Sequence, residues 1–471
     1  MELCFTDRDA LVAESTLALV GVLDEEAVPD GMPFVLDTDG SYCWELNRFF
    51  RQLPGLGVHS RASWRAYALD VVTWARFLEL RRGKGLWDAK KEDVVAFHRV
   101  RRIVDPTASV SKATWNRSVA ALDKLYRWAL GEGLVTELPF TYRWALVLAD
   151  KPLRIEVNRS REAHSPGASV RFVSLPDYCA FRDLGLRGRL PDGSPDPSSR
   201  VRNGERNAAF AELCVTTGAR LTEAASLVIP ELPAPDDKGR TNGVTLAEAV
   251  AKRQRSRDLR VPARVLRGVG TYRRIERSTA VAAAREHGRY RTGGWAVLSQ
   301  VDRRGGVEAG GARWRWATAH AEHRSRLLLD GPEGPEPAWL WLTSTGLPLR
   351  PESWETIFER ACQRCARHGI ALDVHPHTLR HTYAVHLLAE LVRHHLDEAR
   401  EPADRYGAAY RRMLGDPLRR LQGLLGHASI RSTYVYLDSV DAAQELVDEA
   451  IGAWADDVAD AIGALAGNEA S

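Results

Sequence analysis

The sequence has little of what secreted or membrane proteins use. Six cysteines are scattered over 471 residues, which predicts free thiols in a reducing compartment rather than a disulfide framework. No apolar run has the length of a signal sequence or a membrane span, so we expect no export, no membrane insertion and a cytoplasmic location. Lysine is also absent after Lys252, where arginine replaces it throughout.

A metal site is not expected either. Cys362 and Cys365 form one CxxC pair, but a tetrahedral zinc site needs four ligands and the chain offers no second pair. The surrounding sequence is typical of a helix, so both cysteines are predicted to lie on that helix. We therefore expect no metal and no cofactor.

The net charge of +3 is too small to indicate a nucleic-acid partner by itself. The distribution of charge is more informative, since arginines are dense between residues 252 and 326 and acids gather near both ends. A basic centre indicates a surface that meets phosphate. The alternative is an arginine-rich surface that only faces solvent.

Apolar periodicity divides the chain into segments. Residues 39–155 carry apolar side chains at helical spacing and are predicted to form a helical domain. They follow an N-terminal extension, 1–38, with a short helix at 9–23. A polar linker, 156–169, precedes the main domain, 170–445, and the apolar stripe of 446–471 predicts a C-terminal amphipathic helix.

Within the main domain, a helix over 207–216 should lead into Gly218 and Arg220. Two hairpin arms are predicted at 245–252 and 258–264, with a basic turn between them. A strand is expected from Trp339, and helices from Pro351 onwards. The segments near 265–335 and 392–413 resemble insertions, whose purpose the sequence does not reveal.

Three short motifs carry the chemistry. Arg220 and Glu223 stand three residues apart, as do His377 and Arg380, so each pair lies on one helical face. His427 precedes Tyr436 by nine residues. Guanidinium groups bind phosphate oxygens in bidentate geometry, and a phenol beside cations can act as a nucleophile without a metal.

This ordered set closely resembles the tyrosine recombinase family, which includes phage integrases and Xer-like enzymes. The resemblance implies a mainly α fold, with a helical, SAM-like core-binding domain and a mixed α/β catalytic domain that form a C-shaped clamp on DNA. It further implies DNA cutting and rejoining through a 3′-phosphotyrosyl intermediate, without ATP or cofactor. Four protomers would act on two double-stranded sites of a mobile element, through integration, excision or transposition.

The resemblance also suggests a role for each motif residue. Tyr436 is the expected nucleophile, and Arg220 with Arg380 neutralises the non-bridging phosphate oxygens. His377 is expected to assist proton transfer, and His427 to donate to a phosphate oxygen. The remaining two assignments are a supporting carboxylate and a general acid on the hairpin, Glu223 and Lys252.

Several alternatives stay open. Tyr434 competes with Tyr436, and His375 competes weakly with His377, whereas His381 is assigned to packing or to support of the site. Lys252 fits only if the hairpin is about two residues longer than usual in the family. The helix 446–471 either couples protomers or folds back, and an accessory recombinase or directionality factor is a possible partner. A type IB topoisomerase-like enzyme and a catalytically silent DNA-binding protein are the competing functions.

Overall fold

The structure is a computed structural model. It describes residues 1–7, 28–104, 109–147, 153–162, 170–236, 241–251, 256–292, 294–400, 417–427 and 430–436. The chain divides into two compact units, Met1–Gly167 and Ala168–Ser471. Several sequence predictions therefore lie wholly or partly outside the described residues: the helix at 9–23, the later part of the linker 156–169, Lys252 and the basic turn after it, the later part of the 392–413 insertion, and the helix 446–471.

The described part of the first unit contains four α-helices, as the apolar periodicity predicts. They are α1 (Trp44–Gln52), α2 (Arg61–Phe77), α3 (Lys91–Arg99) and α4 (Lys112–Gly131). Ser60 and Ser111 precede α2 and α4, and their hydroxyls accept hydrogen bonds from the amides of Ser63 and Thr114 in the first turns, which fixes where these helices begin. In the core, Trp74 Nε1 donates to the Tyr126 hydroxyl at 2.7 Å, and both rings are buried.

Two small antiparallel ribbons complete this unit. Strand β1 (Glu2–Phe5) pairs with β2 (Pro33–Leu36), and β3 (Tyr142–Val147) pairs with β4 (Leu153–Asn158). Residues 156–158 of the predicted linker are thus strand. Beyond them, Glu162 accepts bonds from Arg102, a long-range ion pair that no local pattern predicts.

The second unit holds most of the remaining helices. They are α5 (Leu175–Ala180), α6 (Gly204–Thr217), α7 (Leu221–Ala225), α8 (Ala263–Tyr272), α9 (Ser278–Glu286), α10 (Ala321–Arg324), α11 (Ser353–Arg367), α12 (Pro376–Arg400), α13 (Pro417–Leu425) and α14 (Arg431–Tyr434). Wide π-helical turns continue four helices of the two units, at Leu78–Arg82, Val100–Val104, Phe181–Arg187 and Arg273–Arg277. Phe210 of α6 stacks on Trp354 of α11 at 3.6 Å between ring centroids, at the centre of the core.

The predicted hairpin exists, but its first arm begins earlier. Strand β5 (Thr241–Leu246) pairs with β6 (Arg257–Pro262), whereas the sequence placed the arms at 245–252 and 258–264. Val244 and Leu246 point into the core and fix the first strand in that register. The helix α8 begins directly after Pro262.

The insertion near 265–335 contains α8, α9 and a five-stranded sheet. Its strands are β7 (Ala296–Ser299), β8 (Gly305–Glu308), β9 (Arg313–Arg315), β10 (Leu327–Gly331) and β11 (Gly334–Pro337), in the order β11-β10-β7-β8-β9. The strand predicted at Trp339 is wrong, because this segment makes only isolated bridges, Val228 with Trp339 and Leu342 with Pro348. Its apolar side chains are buried in the core without a ladder of strand partners.

These elements confirm a mainly helical chain with small sheets. The clamp concerns the arrangement of the two units and stays a prediction. Among the described residues, no helix is both long enough and apolar enough to cross a membrane.

Candidate active site

Arg220 is held at a turn that requires glycine. Helix α6 ends at Gly218, whose φ of +62° is left-handed, and an added Cβ would lie 2.4 Å from the Tyr383 ring. Helix α7 then begins after Arg220. The Glu223 carboxylate accepts both the Arg220 backbone amide and its Nη1, each at 2.8 Å.

Glu223 also binds a second arginine. Arg257 of β6 donates Nη1 and Nη2 to the two carboxylate oxygens at 2.9 and 2.7 Å. The Glu223 side chain is fully buried. Burial alone would raise the pKa of Glu223, but the charges and hydrogen bonds of Arg257 and Arg220 outweigh it and lower that pKa. The carboxylate therefore stays ionised and joins the hairpin to the Arg220 turn.

Arg380 of α12 is buried between two chain turns. Its Nη1 donates to the Gly218 carbonyl at 2.5 Å and its Nη2 to the Leu425 carbonyl at 2.6 Å. Burial, together with the positive charges of Arg220 and Arg257, lowers its pKa to about 10. Arg380 thus stays charged at neutral pH and holds the turn before Arg220 against the end of α13.

Tyr436 lies inside this cluster. Its hydroxyl is 3.0 Å from Nδ1 of His381, and the His377 ring packs on His381 at 4.4 Å between centroids. Tyr436 is 2% exposed, whereas Tyr434 is 48% exposed. Burial raises the Tyr436 pKa although Arg380 and Arg220 oppose that shift. The phenol is therefore protonated at neutral pH in this state.

His427 lies on the other side of the phenol. Its Nδ1 is 3.0 Å from the Thr433 hydroxyl, and its ring is within 12° of parallel to Tyr436 at 6.2 Å. Burial, followed by nearby arginines, lowers its pKa to about 4. Burial and His377 likewise lower the pKa of His381 to about 4. Both imidazoles are neutral at neutral pH.

This geometry favours anion chemistry. Three guanidinium groups surround one carboxylate, which leaves a net positive site beside a phenol and two neutral imidazoles. Among the described residues, no group of three His, Cys, Asp or Glu side chains is arranged to hold a metal. Cys362 and Cys365 lie on α11, with Cys365 buried.

Known proteins resemble this chain over most of its length. The family model for the phage integrase N-terminal SAM-like domain matches residues 46–133. Tyrosine recombinase XerD of Corynebacterium glutamicum is 25% identical over 373 residues, 79% of this chain and 85% of the relative. XerC of Bacillus licheniformis is 22% identical over 370 residues, 79% of this chain and 83% of the relative. The chain is thus similar to tyrosine recombinases over about four fifths of its length.

Two further matches are one short sequence match and one solved structure. XerC of Oceanobacillus iheyensis is 32% identical over 115 residues, which span 24% of this chain and 28% of that protein. A solved structure of XerH bound to palindromic difH has a TM-score of 0.47 and 14% identity, covering 87% of this chain and 83% of that one. The predicted resemblance to tyrosine recombinases is confirmed by the family model and by the long matches to XerC and XerD. The predicted function and enzyme class, site-specific DNA recombination by breakage and rejoining, are those of the tyrosine recombinases.

Most of the predicted recombinase residues come together in the second unit. Arg220, Glu223, Arg380, His427 and Tyr436 form one connected cluster, and His377 joins it through His381. Lys252 lies outside the described residues. The competing His375 is half-exposed and pairs with Asp373 at 3.0 Å.

The sequence did not predict the contacts that Arg257 and His381 make in this cluster. Arg257 stands two residues before the buried Leu259, so strand alternation predicts that its side chain points inward. The local sequence does not show that Glu223 is its partner. His381 was assigned to packing or support, and the structure adds a hydrogen bond to the phenol. Its signal was the four-residue interval from His377, which places both rings on one face of α12.

Proposed function

We propose that this tyrosine recombinase cuts and rejoins DNA at a specific site through a 3′-phosphotyrosyl intermediate. The observation that carries the proposal is the contact of the buried Tyr436 hydroxyl with neutral His381, inside a cluster of guanidinium groups. A phenol needs a proton acceptor to attack at neutral pH. An imidazole that is neutral at this pH can accept that proton.

The proposed reaction exchanges one phosphate ester bond for another. The Tyr436 oxygen bonds to the scissile phosphorus, its proton passes to His381 with the assistance of His377, which packs on it, and the bond from phosphorus to the 5′ oxygen breaks. The 5′ oxygen leaves with a proton, for which we keep Lys252 as the donor. Rejoining reverses each step, so no ATP is consumed.

Arg220 and Arg380 would bind the two non-bridging oxygens. An arginine has five N–H donors, and Arg380 uses two of its nitrogens on the carbonyls of Gly218 and Leu425. The Nη2 of Arg220 is only weakly engaged, 3.4 Å from the Gly426 carbonyl. Both guanidiniums thus keep donors for an incoming phosphate, which is the arrangement that stabilises a charged transition state.

His427 would donate to a phosphate oxygen. Its pKa is about 4 while arginines surround it without an anion. A bound phosphate adds negative charge and raises that pKa. We therefore include proton uptake on DNA binding in the proposal.

The cellular setting is a further part of the same proposal. We infer a cytoplasmic enzyme that acts as a tetramer on two DNA sites and serves integration, excision or transposition of a mobile element. An accessory recombinase or directionality factor is included as a partner. Coupling between protomers is assigned to residues 446–471.

Covalent capture tests the nucleophile. Wild type, Tyr436→Phe and the matched control Tyr434→Phe would be incubated with sheared genomic DNA, denatured, and freed of unbound DNA before the attached fragments are sequenced. We expect shared sequences to be captured by wild type and Tyr434→Phe only. Capture by Tyr436→Phe at the wild-type yield would overturn the assignment. DNA binding without any adduct would favour a catalytically silent protein.

A further inference from the structure

The inserted sheet forms a hollow against the β5–β6 hairpin. The hollow has a volume of about 770 Å³, and one wall is the outer face of β5 at Gly243 and Thr245. The opposite wall carries four exposed arginines, which we call the arginine hollow: Arg303, Arg304, Arg313 and Arg315.

These guanidiniums are not used within the described part of the protein. None of the four makes a side-chain hydrogen bond or ion pair there, whereas arginines nearby, such as Arg257 and Arg324, bind carboxylates. Three carboxylates also line the hollow: Glu231 is bound to Arg324, Asp302 accepts the backbone amides of Arg304 and Gly305, and Glu248 is exposed. The four arginines outnumber the carboxylates Asp302 and Glu248 that are not bound to a buried arginine, so the hollow keeps an excess of positive charge that an anionic partner would neutralise.

The arginines stand on a rigid support. Arg324 is fully buried and makes five hydrogen bonds, two to Glu231 and three to the carbonyls of Ala319, Ser226 and Trp316. Strands β8 and β9 approach so closely that a Cβ on Gly305 would lie 1.8 Å from the Trp314 carbonyl. The charged surface is therefore fixed to the segment that follows α7, the helix that carries Glu223.

The same support holds the hairpin close to its tip. The Ala249 amide donates to the Ala317 carbonyl at 3.0 Å, and Nδ1 of His320 is 3.2 Å from the Ala249 carbonyl. Ala249 stands three residues before Lys252. A duplex that engages the tip of the hairpin thus has to pass near the hollow beside it.

We propose that the arginine hollow binds the phosphate backbone of duplex DNA next to the cleavage position. This inference rests on the proposed recombinase function and gives the insertion a purpose. Phosphate fits the chemistry because guanidinium groups bind it in bidentate geometry without regard to sequence. An amphipathic protein helix fits less well, since Trp316 is buried and the Trp314 indole nitrogen already donates to Glu308.

The salt dependence of binding tests this surface. The full-length double variant Arg313→Gln/Arg315→Gln would be compared with Arg360→Gln/Arg367→Gln, which removes the same charge from two exposed arginines of α11. Affinity for a fluorescent duplex of random sequence would be measured against salt concentration. Two lost phosphate contacts lower the slope of log affinity against log salt by about 1.8. The affinity ratio of wild type to variant should then fall roughly tenfold between about 50 and 200 mM salt, with no such change in the control.

Each other outcome overturns the proposal. Equal changes in both double variants would indicate an effect of net charge alone, and an unchanged slope would exclude phosphate contact at the hollow. Weaker self-association with unchanged DNA affinity would assign the surface to a second copy of the chain. Thermal unfolding midpoints check folding, and the tyrosine adduct is scored separately, so loss of the hollow's role is distinguishable from failure of the recombinase function.

Discussion

The second unit contains two buried arginine–glutamate pairs that serve different purposes. Arg324 and Glu231 form one pair, and both side chains are almost completely shielded from solvent. Glu223 forms the other with Arg257, and shares its carboxylate with Arg220, whose side chain remains 20% exposed. Both are ion pairs between a guanidinium and a carboxylate, but only the cluster around Glu223 reaches solvent.

The difference lies in the donors that remain. Arg324 uses Nε, Nη1 and Nη2 on protein oxygens, so the pair is complete and can only hold the sheet in place. Around Glu223, cations exceed the single carboxylate, and Arg220 keeps donors near solvent. A buried ion pair marks a site for an anion when its cations are in excess and its donors are not all used.

The largest effect should come from breaking the complete pair. Arg324→Met leaves Glu231 buried without its cation, and we expect the free energy of unfolding to fall by about 3–5 kcal/mol. Denaturant unfolding measures this loss. The double variant Arg324→Met/Glu231→Leu removes the orphan charge and should recover much of it. A double variant no more stable than the single one would show that the pair does not act as a unit.

The open cluster should respond in activity more than in stability. Arg220→Ala removes a phosphate donor, and we expect cleavage to slow by about two to three orders of magnitude. Its unfolding free energy should change less than that of Arg324→Met, because Glu223 retains Arg257. Single-turnover cleavage and denaturant unfolding, measured on one preparation, separate the two. A larger loss of stability for Arg220→Ala would remove the distinction between the pairs.

Arg257 offers a finer test, because it touches Glu223 from the hairpin. Arg257→Gln loses two charge-assisted bonds, and we expect cleavage to slow by about tenfold. Arg264→Gln, which removes a guanidinium from the more exposed pair with Glu212, is the control.

A substrate with sulfur in place of the 5′ oxygen shows whether Arg257 acts through Lys252 or through Arg220. Its thiolate leaves without a protonated donor, because a thiol is far more acidic than an alcohol. If Arg257 acts by placing the hairpin and its Lys252, this substrate should restore the rate of Arg257→Gln. A rate that stays low would instead mean that Arg257 acts through Arg220.

The smallest effect concerns pH. The folded pKa values of His381 and His427, about 4, lie below the ordinary value of 6.5. The unfolded chain therefore takes up protons first, and stability falls as pH drops from about 6.5 towards 4. Thermal unfolding of wild type and His427→Asn across this range measures the effect, and the variant should show a shallower decline. The Glu223 pKa is also lowered, so we expect its ion pairs with Arg220 and Arg257 to remain as the pH falls through the range in which the two imidazoles take up protons.

The sequence predicted most of the residues that lie together in the candidate site, because those residues recur at short, regular intervals. Glu223 follows Arg220 by three positions, and the same interval separates His377 from Arg380. Tyr436 follows His427 at the spacing typical of the family. Lys252 stays a prediction. The same reasoning placed the first hairpin arm four residues late, because the register depends on which side chains the core accepts.

What the sequence determined by itself is the set of candidate reactive groups and most of the helices near them. Helical periodicity and motif spacing are local properties, so they can be recognised without knowing which residues are in contact in the folded protein. Only the tertiary structure decided that Arg257 shares Glu223, that His381 contacts the Tyr436 hydroxyl, and that four arginines of the inserted sheet share a hollow with the hairpin. Those residues are far apart in the chain, or share a surface only because their side chains point the same way. Tertiary packing alone brings them together.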